Sequence, residues 1–485
     1  MFETSSTPHP RRSLLARGLS FWILVFILAL SPLPFASVRP VWIHLSGILV
    51  AVALIAYLVQ RWQTGRAIPS IPWPLRIAGA LVALVALWGY VQAMPGWLTA
   101  WHHPIWSETA TLLNAPDLIG SLSLTPERSI LNANLLLTYL GFGLLVVWHS
   151  RRQRNLDLLL KIFVGAQAVY ALYGLSVYFS DLETILWFDK TAYRDVLTST
   201  FVNRNSYATY AGLGALAALV LILRFLRQTL TADKSHRTRI REFVETLTST
   251  GWLTPVALLI CLLAVLLTQS RMGLTALLIA GTVLLIGWTM RLPAGQTRRL
   301  GSILLSLLVV LLVVNFVLSG GLTADRFARL FEQGDGRFTV YPLMLDAIAE
   351  RPLTGYGLGS FESAFRLVRD DTVMGFFDRG HSDYLELIMT IGWPAALALM
   401  LAFLVPLLAA WNMSRRRTEI EPALLSVAAT VQIAVHSTVD FSMQMPAVVF
   451  AYLLLALAAF GTWHDSASLP AETDQRPPDA GIAPA

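Results

Sequence analysis

Apolar residues recur along the chain in runs of about 18 to 22, separated by polar or charged connections. Such runs are too long for strands and have no polar face to show water, so they predict membrane-spanning helices. Twelve are legible: 19–36, 41–60, 75–93, 129–148, 157–179, 205–224, 252–269, 273–290, 301–319, 388–411, 421–438 and 444–463. The expected fold class is an all-α polytopic membrane protein with about 12 transmembrane helices. An even number of spans puts both termini on one side. On the other side three connections are long, 94–128, 180–204 and 320–387. The last contains a polar entry (GGLTADRFARLFEQGDGRF), a helix-like VYPLMLDAIAERP, a glycine-rich GYGLGSFESAF and the charged DRGHSDYLELIMTIGW, 378–393. A loop this long, with its own helices and many aromatic residues, is expected to be functional rather than disordered.

Composition strengthens this picture. The 485 residues are 55% hydrophobic and 14% charged, against about a quarter charged in soluble domains. The net charge of +6 follows from topology and calls for no nucleic acid. Of the Lys and Arg residues, 21 lie on the side of the N-terminus and 13 on the other, seven of these in 320–387, where the positive-inside rule has little force. Both termini are therefore expected in the cytoplasm. Cys261 stands alone in an apolar run, which excludes an intramolecular disulfide and a cysteine metal cluster. The N-terminal PHPRRSLLARGLSFWILVFILALSPLPFA resembles a signal sequence but lacks a clear small-residue cleavage site, so an uncleaved first helix is expected. The connection 225–251 reads as a basic surface segment, and the tail 464–485 as disordered.

Candidate chemistry concentrates on the side of the long loops. There is no Walker A sequence, hence no ATP-driven pump, and no HExxH. His102 and His103 are adjacent, so their side chains diverge and no metal site is expected. Arg271 sits in a very short connection, LLTQSRMG. It reads either as an arginine snorkelling to the interface or as a fixed cation suited to a lipid-linked phosphate. Arg337, after a GDG turn, is either a salt-bridge partner of Asp335 or Asp346 or a second phosphate clamp. His381 stands one helical turn before Tyr384 and Leu385, on a stripe running to Gly392. Its readings are an interfacial histidine bound to backbone and a base for an acceptor hydroxyl. Asp378, Asp383 and Glu386 are the carboxylates within reach to orient it. Two further polar sets flank spans: Asn203, Arg204 and Asn205 before the sixth, and His436 with Asp440 after the eleventh. Capped helix ends and a cavity-shaping role both account for them, and His436 with Asp440 also fits a proton relay.

The segments TFVNRNSYA, LLTQSRMG, GRFTVYPLMLDAIAERPLTGYGLGSF, HSDYLELIMTIGW and HSTVDF occur in this order across 200–441. Together they resemble the O-antigen ligase and polymerase superfamily of bacterial membrane glycosyltransferases. The resemblance implies a GT-C-like enzyme, independent of metal and cofactor, at the periplasmic face of the inner membrane. Its donor would be an undecaprenyl-pyrophosphate-linked glycan, and its acceptor lipid A core or a growing glycan. It implies His381, Arg271 and Arg337 as catalytic residues, with the histidine helping to activate the acceptor and the arginines holding pyrophosphate. His381, Ser382 and Gly392 fit the family's histidine motif, whereas the glycine expected three residues further on is Ala395. Met272 likewise stands where the family's arginine motif has glycine. Arg204, Asn205, Tyr356 and Asp383 are the expected substrate contacts, with Tyr356 and Phe361 stacking on sugar faces and the GYGLG backbone approaching the glycan. The implied organisation is N-terminal helices over 1–200, a ligase-related catalytic domain over 201–463 and the tail 464–485. Attack opposite the leaving pyrophosphate would invert the anomeric centre. A repeat-unit polymerase is the alternative within the superfamily, and a lipid-linked sugar transporter or flippase the rival class.

Overall fold

The computed structural model describes residues 17–231, 250–318, 336–373, 375–416 and 420–463. The N-terminal 1–16, most of the basic connection, the polar entry of the largest loop and the tail 464–485 lie outside the described residues. The helices are α1 (Leu19–Leu30), α2 (Pro40–Gln63), α3 (Trp73–Ala93), α4 (Ile105–Leu112), α5 (Pro126–Ser150), α6 (Gln153–Phe179), α7 (Arg204–Thr231), α8 (Leu253–Leu267) and α9 (Arg271–Met290). They continue with α10 (Gln296–Leu318), α11 (Gly336–Glu350), α12 (Phe361–Val368), α13 (Asp383–Arg416), α14 (Glu421–His436) and α15 (Pro446–Leu457). Among the described residues, β-structure is a two-residue antiparallel pair in the 180–204 loop, with Thr184 opposite Asp189.

Every predicted span has a helix. Eight described helices are long and apolar enough to cross a membrane, since a bilayer core of about 30 Å needs about 20 residues at 1.5 Å each. The other four, α1, α8, α14 and α15, are shorter. The chain is an all-α polytopic membrane protein. Nearly every residue of α14 is buried, so it runs inside the bundle and meets protein rather than lipid.

The centre of the bundle is α7, against which α6, α8, α9 and α14 pack. Its AGLGALAAL segment is built of small residues that let neighbouring backbones approach closely. Gln432 of α14 uses this room, and its Nε2 donates to the Thr209 carbonyl at 3.0 Å. On the outside, α10 turns Ile303, Leu307 and Val310 outward, as a lipid-facing helix should.

A second apolar core joins α3 to α11, α12 and α13 through Val85, Met344, Tyr356, Phe361 and Met389. This core fixes the described part of the largest loop. Gln92 of α3, fully buried, donates to the carbonyls of Thr354 (2.7 Å) and Thr390 (3.2 Å) and accepts from the Leu358 N–H (3.0 Å). The 94–128 loop and the start of α5 add to it: the Leu124 N–H donates to the Tyr356 carbonyl at 2.9 Å, and Ser129 Oγ to the Leu358 carbonyl at 3.0 Å.

The span expected over 388–411 is not one continuous helix. It begins earlier, at Asp383, and breaks at Gly392, whose φ is 76° and ψ 165°. The break frees backbone groups that the segment 352–357 then binds. Tyr356 N–H donates to Met389 O at 3.1 Å, Gly357 N–H to Thr390 O at 2.8 Å, and Trp393 N–H to Pro352 O at 2.8 Å. Gly355, at φ 63°, faces the same strip, where a Cβ would come within 2.5 Å of the Thr390 carbonyl.

Candidate active site

Backbone contacts on both sides hold His381 in place. It lies two residues before α13, in the left-handed region at φ 51°, and not on the helix as its spacing from Tyr384 predicted. Histidine visits this region more readily than most side chains, yet it needs support there. The support comes from Glu386, one turn into α13, which reaches back to accept the Gly380 N–H at 2.7 Å. Arg379 Nη1 lies 3.7 Å from the same carboxylate. From α11, the Tyr341 hydroxyl donates to the His381 carbonyl at 2.7 Å. The half-buried imidazole stands edge-on to Phe377 and Phe441, with ring centroids at 6.0 and 5.1 Å.

Phe441 belongs to the turn between α14 and α15, which Asp383 clamps. The Asp383 N–H, one of the free donors at the start of α13, donates to the carbonyls of Ser437 (3.0 Å) and Asp440 (3.1 Å). Its carboxylate accepts Ser437 Oγ at 2.7 Å, the Met443 N–H at 3.2 Å and, at 3.5 Å, Gln444 Nε2. Of the carboxylates that the sequence offers to steer the imidazole, Asp383 thus holds this turn, Glu386 holds Gly380, and Asp378 is exposed.

The same turn reaches α7. Asn203 caps that helix, its Oδ1 accepting the N–H groups of Asn205 (2.7 Å) and Ser206 (3.2 Å). Asp440 is fully buried and accepts Ser442 Oγ at 2.5 Å, with Asn205 Nδ2 at 3.4 Å and Ser206 Oγ at 3.5 Å. Thr209 Oγ1 bonds His436 Nδ1 and, at 2.9 Å, Ser442 Oγ. The two polar sets read separately from the sequence are therefore one buried network. Beside it the half-buried Arg204 lies over the Tyr193 ring at 5.8 Å, and Tyr193 OH accepts Asn203 Nδ2 at 3.1 Å.

Arg271 is the first residue of α9 and is exposed. Ser270 caps the helix by accepting the Gly273 N–H at 3.3 Å. Gly273 abuts Ala208 so closely that a Cβ there would lie 2.7 Å from the Ala208 Cβ. Arg271 is thereby set beside the second turn of α7, at the end of the bundle that carries His381. The positive end of the α9 dipole adds to its charge. Arg337 is in the first turn of α11 by its backbone, four residues before Tyr341, and its side chain lies outside the described residues.

Tyr356 and Phe361 depart from expectation. They are 1% and 0% exposed, within the second core, and present no face for a sugar to stack on. The Tyr356 hydroxyl donates to Glu350 at 2.9 Å, and its ring lies against His103 and Arg351. Of the glycines beside it, Gly355 lies against the Thr390 carbonyl of α13 and Gly357 against Ser123. Among the described residues, no three His, Cys, Asp or Glu side chains gather as a metal-binding group. Reading the sequence by segment missed Gln92 and the backbone role of Glu386, whose partners are invisible to local spacing.

Residues 256–400 match the family described as O-Antigen ligase. Over this stretch the chain is similar to O-antigen ligases. That match runs from α8 into α13 and takes in Arg271, Arg337, His381 and Gly392. It leaves out the α7 cap and the α14–α15 turn, which pack against the matched segment and complete the setting of His381. The chain is also 24% identical over 306 residues to the General O-oligosaccharyltransferase of Acinetobacter baylyi (strain ATCC 33305 / BD413 / ADP1). The similarity covers 59% of this chain and 48% of the relative, so the chain spans about half the length of the curated relative it matches.

Proposed function

We propose that the protein is an inner-membrane glycosyltransferase of the O-antigen ligase type. It moves a glycan from undecaprenyl pyrophosphate to an acceptor hydroxyl, lipid A core or a growing glycan, at the periplasmic face. Both termini are cytoplasmic, as the distribution of Lys and Arg favours. The observation that carries the reading is the half-buried imidazole of His381, fixed through Glu386 and Tyr341 at the same end of the bundle as Arg271.

In this reaction the acceptor oxygen forms a bond to the anomeric carbon. The bond from that carbon to the pyrophosphate oxygen breaks, and its electron pair stays on the leaving group. His381 accepts the hydroxyl proton as the new bond forms. Arg271 and Arg337 stabilise the charge that develops on the pyrophosphate, without a metal or cofactor. Attack from the face opposite the leaving group inverts the anomeric centre. Arg204, exposed in part at the rim, suits contact with the glycan. Asn205 and Asp383 suit positioning, because their side chains hold the α14–α15 turn.

Reconstitution with a lipid-linked repeat unit, with and without a lipid A core acceptor, tests the reading. A ligase is expected to transfer glycan to the core. Chain lengthening without a core product would instead make the protein a polymerase, and absence of any new glycosidic bond would sink the enzyme reading. In the same assay Arg271→Lys is expected to lower the rate about 10- to 100-fold, because lysine keeps the charge but loses the two-pronged contact with phosphate. An unchanged rate would remove Arg271 from the site.

A further inference from the structure

The far end of the bundle carries a cavity that glycan transfer does not use. α5 starts beside the largest loop, where Ser129 holds Leu358, and ends one helix length away. There its last turn, the start of α6, the last turn of α2 and Arg17 before α1 surround a cavity of about 190 Å³. Five arginines line it: Arg17, Arg61, Arg66, Arg151 and Arg152. No carboxylate is among the described residues that line it.

The partners of these arginines are neutral. Arg17 Nε donates to Asn155 Oδ1 at 3.1 Å, Arg151 Nη2 to the Ser70 carbonyl at 2.8 Å, and Arg61 Nη2 to the Ala67 carbonyl. Arg61 Nε is buried and has no hydrogen-bond partner. Elsewhere at this end of the bundle, arginines meet acids: Arg224 binds Asp157 at 2.6 Å, and Arg227 binds Glu421 at 2.5 and 3.0 Å. Topology accounts for basic residues at this face, but not for five converging on one concavity without a countercharge among the described residues. Arg66, Arg151 and Arg152 are exposed and Arg17 and Arg61 half-buried, so water and salt weaken their mutual repulsion and a bound anion would relieve the rest. Guanidinium groups match phosphate oxygens best. The flank of α2 leading away from the cavity turns Ile55, Leu58 and Val59 outward, 61%, 39% and 42% exposed, with Trp62 at its end. That is a track for acyl chains below a headgroup, with an aromatic residue at interface level.

We propose that this cavity is a phosphate-binding site that holds the headgroup of an anionic membrane phospholipid. The lipid joins α1, α2 and the α5–α6 turn, whose arginines otherwise push these elements apart. The site stands whether or not His381 catalyses glycan transfer.

The test is thermal unfolding of the full chain in an uncharged detergent, titrated with phosphatidylglycerol, phosphatidylcholine or inorganic pyrophosphate. Phosphatidylglycerol is expected to raise the midpoint saturably and phosphatidylcholine is not, while any shift with pyrophosphate, which the proposed site at Arg271 also attracts, is expected to persist in R61Q/R152Q. The double variant R61Q/R152Q is expected to bind phosphatidylglycerol about thirtyfold more weakly, from the loss of two arginine–phosphate interactions. R298Q/R299Q, basic but outside the cavity lining, keeps the wild-type response. Thr64→Glu adds a negative charge at the exposed end of α2, on the cavity wall, without removing an arginine. It is expected to weaken binding as well, and decides the matter if R61Q/R152Q does not fold. Wild-type affinity in both variants would overturn the site. A saturable shift with pyrophosphate alone, lost in R61Q/R152Q, would overturn the lipid and leave a soluble phosphate as the ligand.

Discussion

Replacing His381 with alanine is expected to lower glycan transfer about 10²- to 10⁴-fold, the range for loss of a general base. Membrane insertion and the unfolding midpoint should change little. The contact that fixes this residue from α11 is made by its backbone carbonyl, which accepts from Tyr341, and the adjoining turn is held by the Gly380 N–H on Glu386. Both survive loss of the ring. His381→Asn is the companion variant, since asparagine tolerates the left-handed backbone and removes any strain that alanine brings at φ 51°. Loss of activity in both variants, with the midpoint retained, identifies the imidazole as the working group. Wild-type rates in the asparagine variant would end its role as the base. Glu386→Gln should give an intermediate loss, because the amide oxygen still accepts from Gly380 but no longer attracts Arg379.

The second large effect concerns Gly392. Its φ of 76° with ψ 165° is a conformation essentially reserved for glycine, and a Cβ would lie 2.3 Å from the Leu353 carbonyl oxygen. Gly392→Ala must therefore displace the backbone of Leu353 or rebuild the break in α13. The expected cost is about 2–4 kcal/mol, read as a lower unfolding midpoint in detergent. Transfer activity should fall as well, because the displaced strip carries the Gly357–Thr390 and Trp393–Pro352 bonds that seat the loop on α13. A variant with the wild-type midpoint and rate would show that the break does not set the site.

The spans were legible because a helix that is apolar around its whole circumference leaves an uninterrupted run in the sequence. His381 and Arg271 were legible for the converse reason: charged or titratable groups at the mouth of such a run stand out. What stayed hidden was long-range. His436 and Asp440 were visible as a pair, but nothing in HSTVDF says that Asp440 meets Asn205 or that His436 meets Thr209. The spacing from Tyr384 to Gly392 places His381 on the helical stripe, whereas the chain turns at residue 381 and the helix begins at Asp383. The glycines of the GYGLG turn predict an opening for a ligand. A glycine that lets a ligand approach and one that lets backbone approach look the same in sequence, and here Gly355 lies against Thr390.

The buried carboxylate of Asp440 also has a history in time. Asn205 and Asp440 are 235 residues apart. At ordinary rates of synthesis the ribosome needs roughly ten to fifty seconds to make that interval. Throughout it, α7 waits at the membrane with a polar end lacking its eventual partner, and the end of the bundle that carries His381 cannot close. The last turn to emerge, between α14 and α15, completes it, so a chain released before that turn carries both His381 and Arg271 without the clamp that ties α13 to α7.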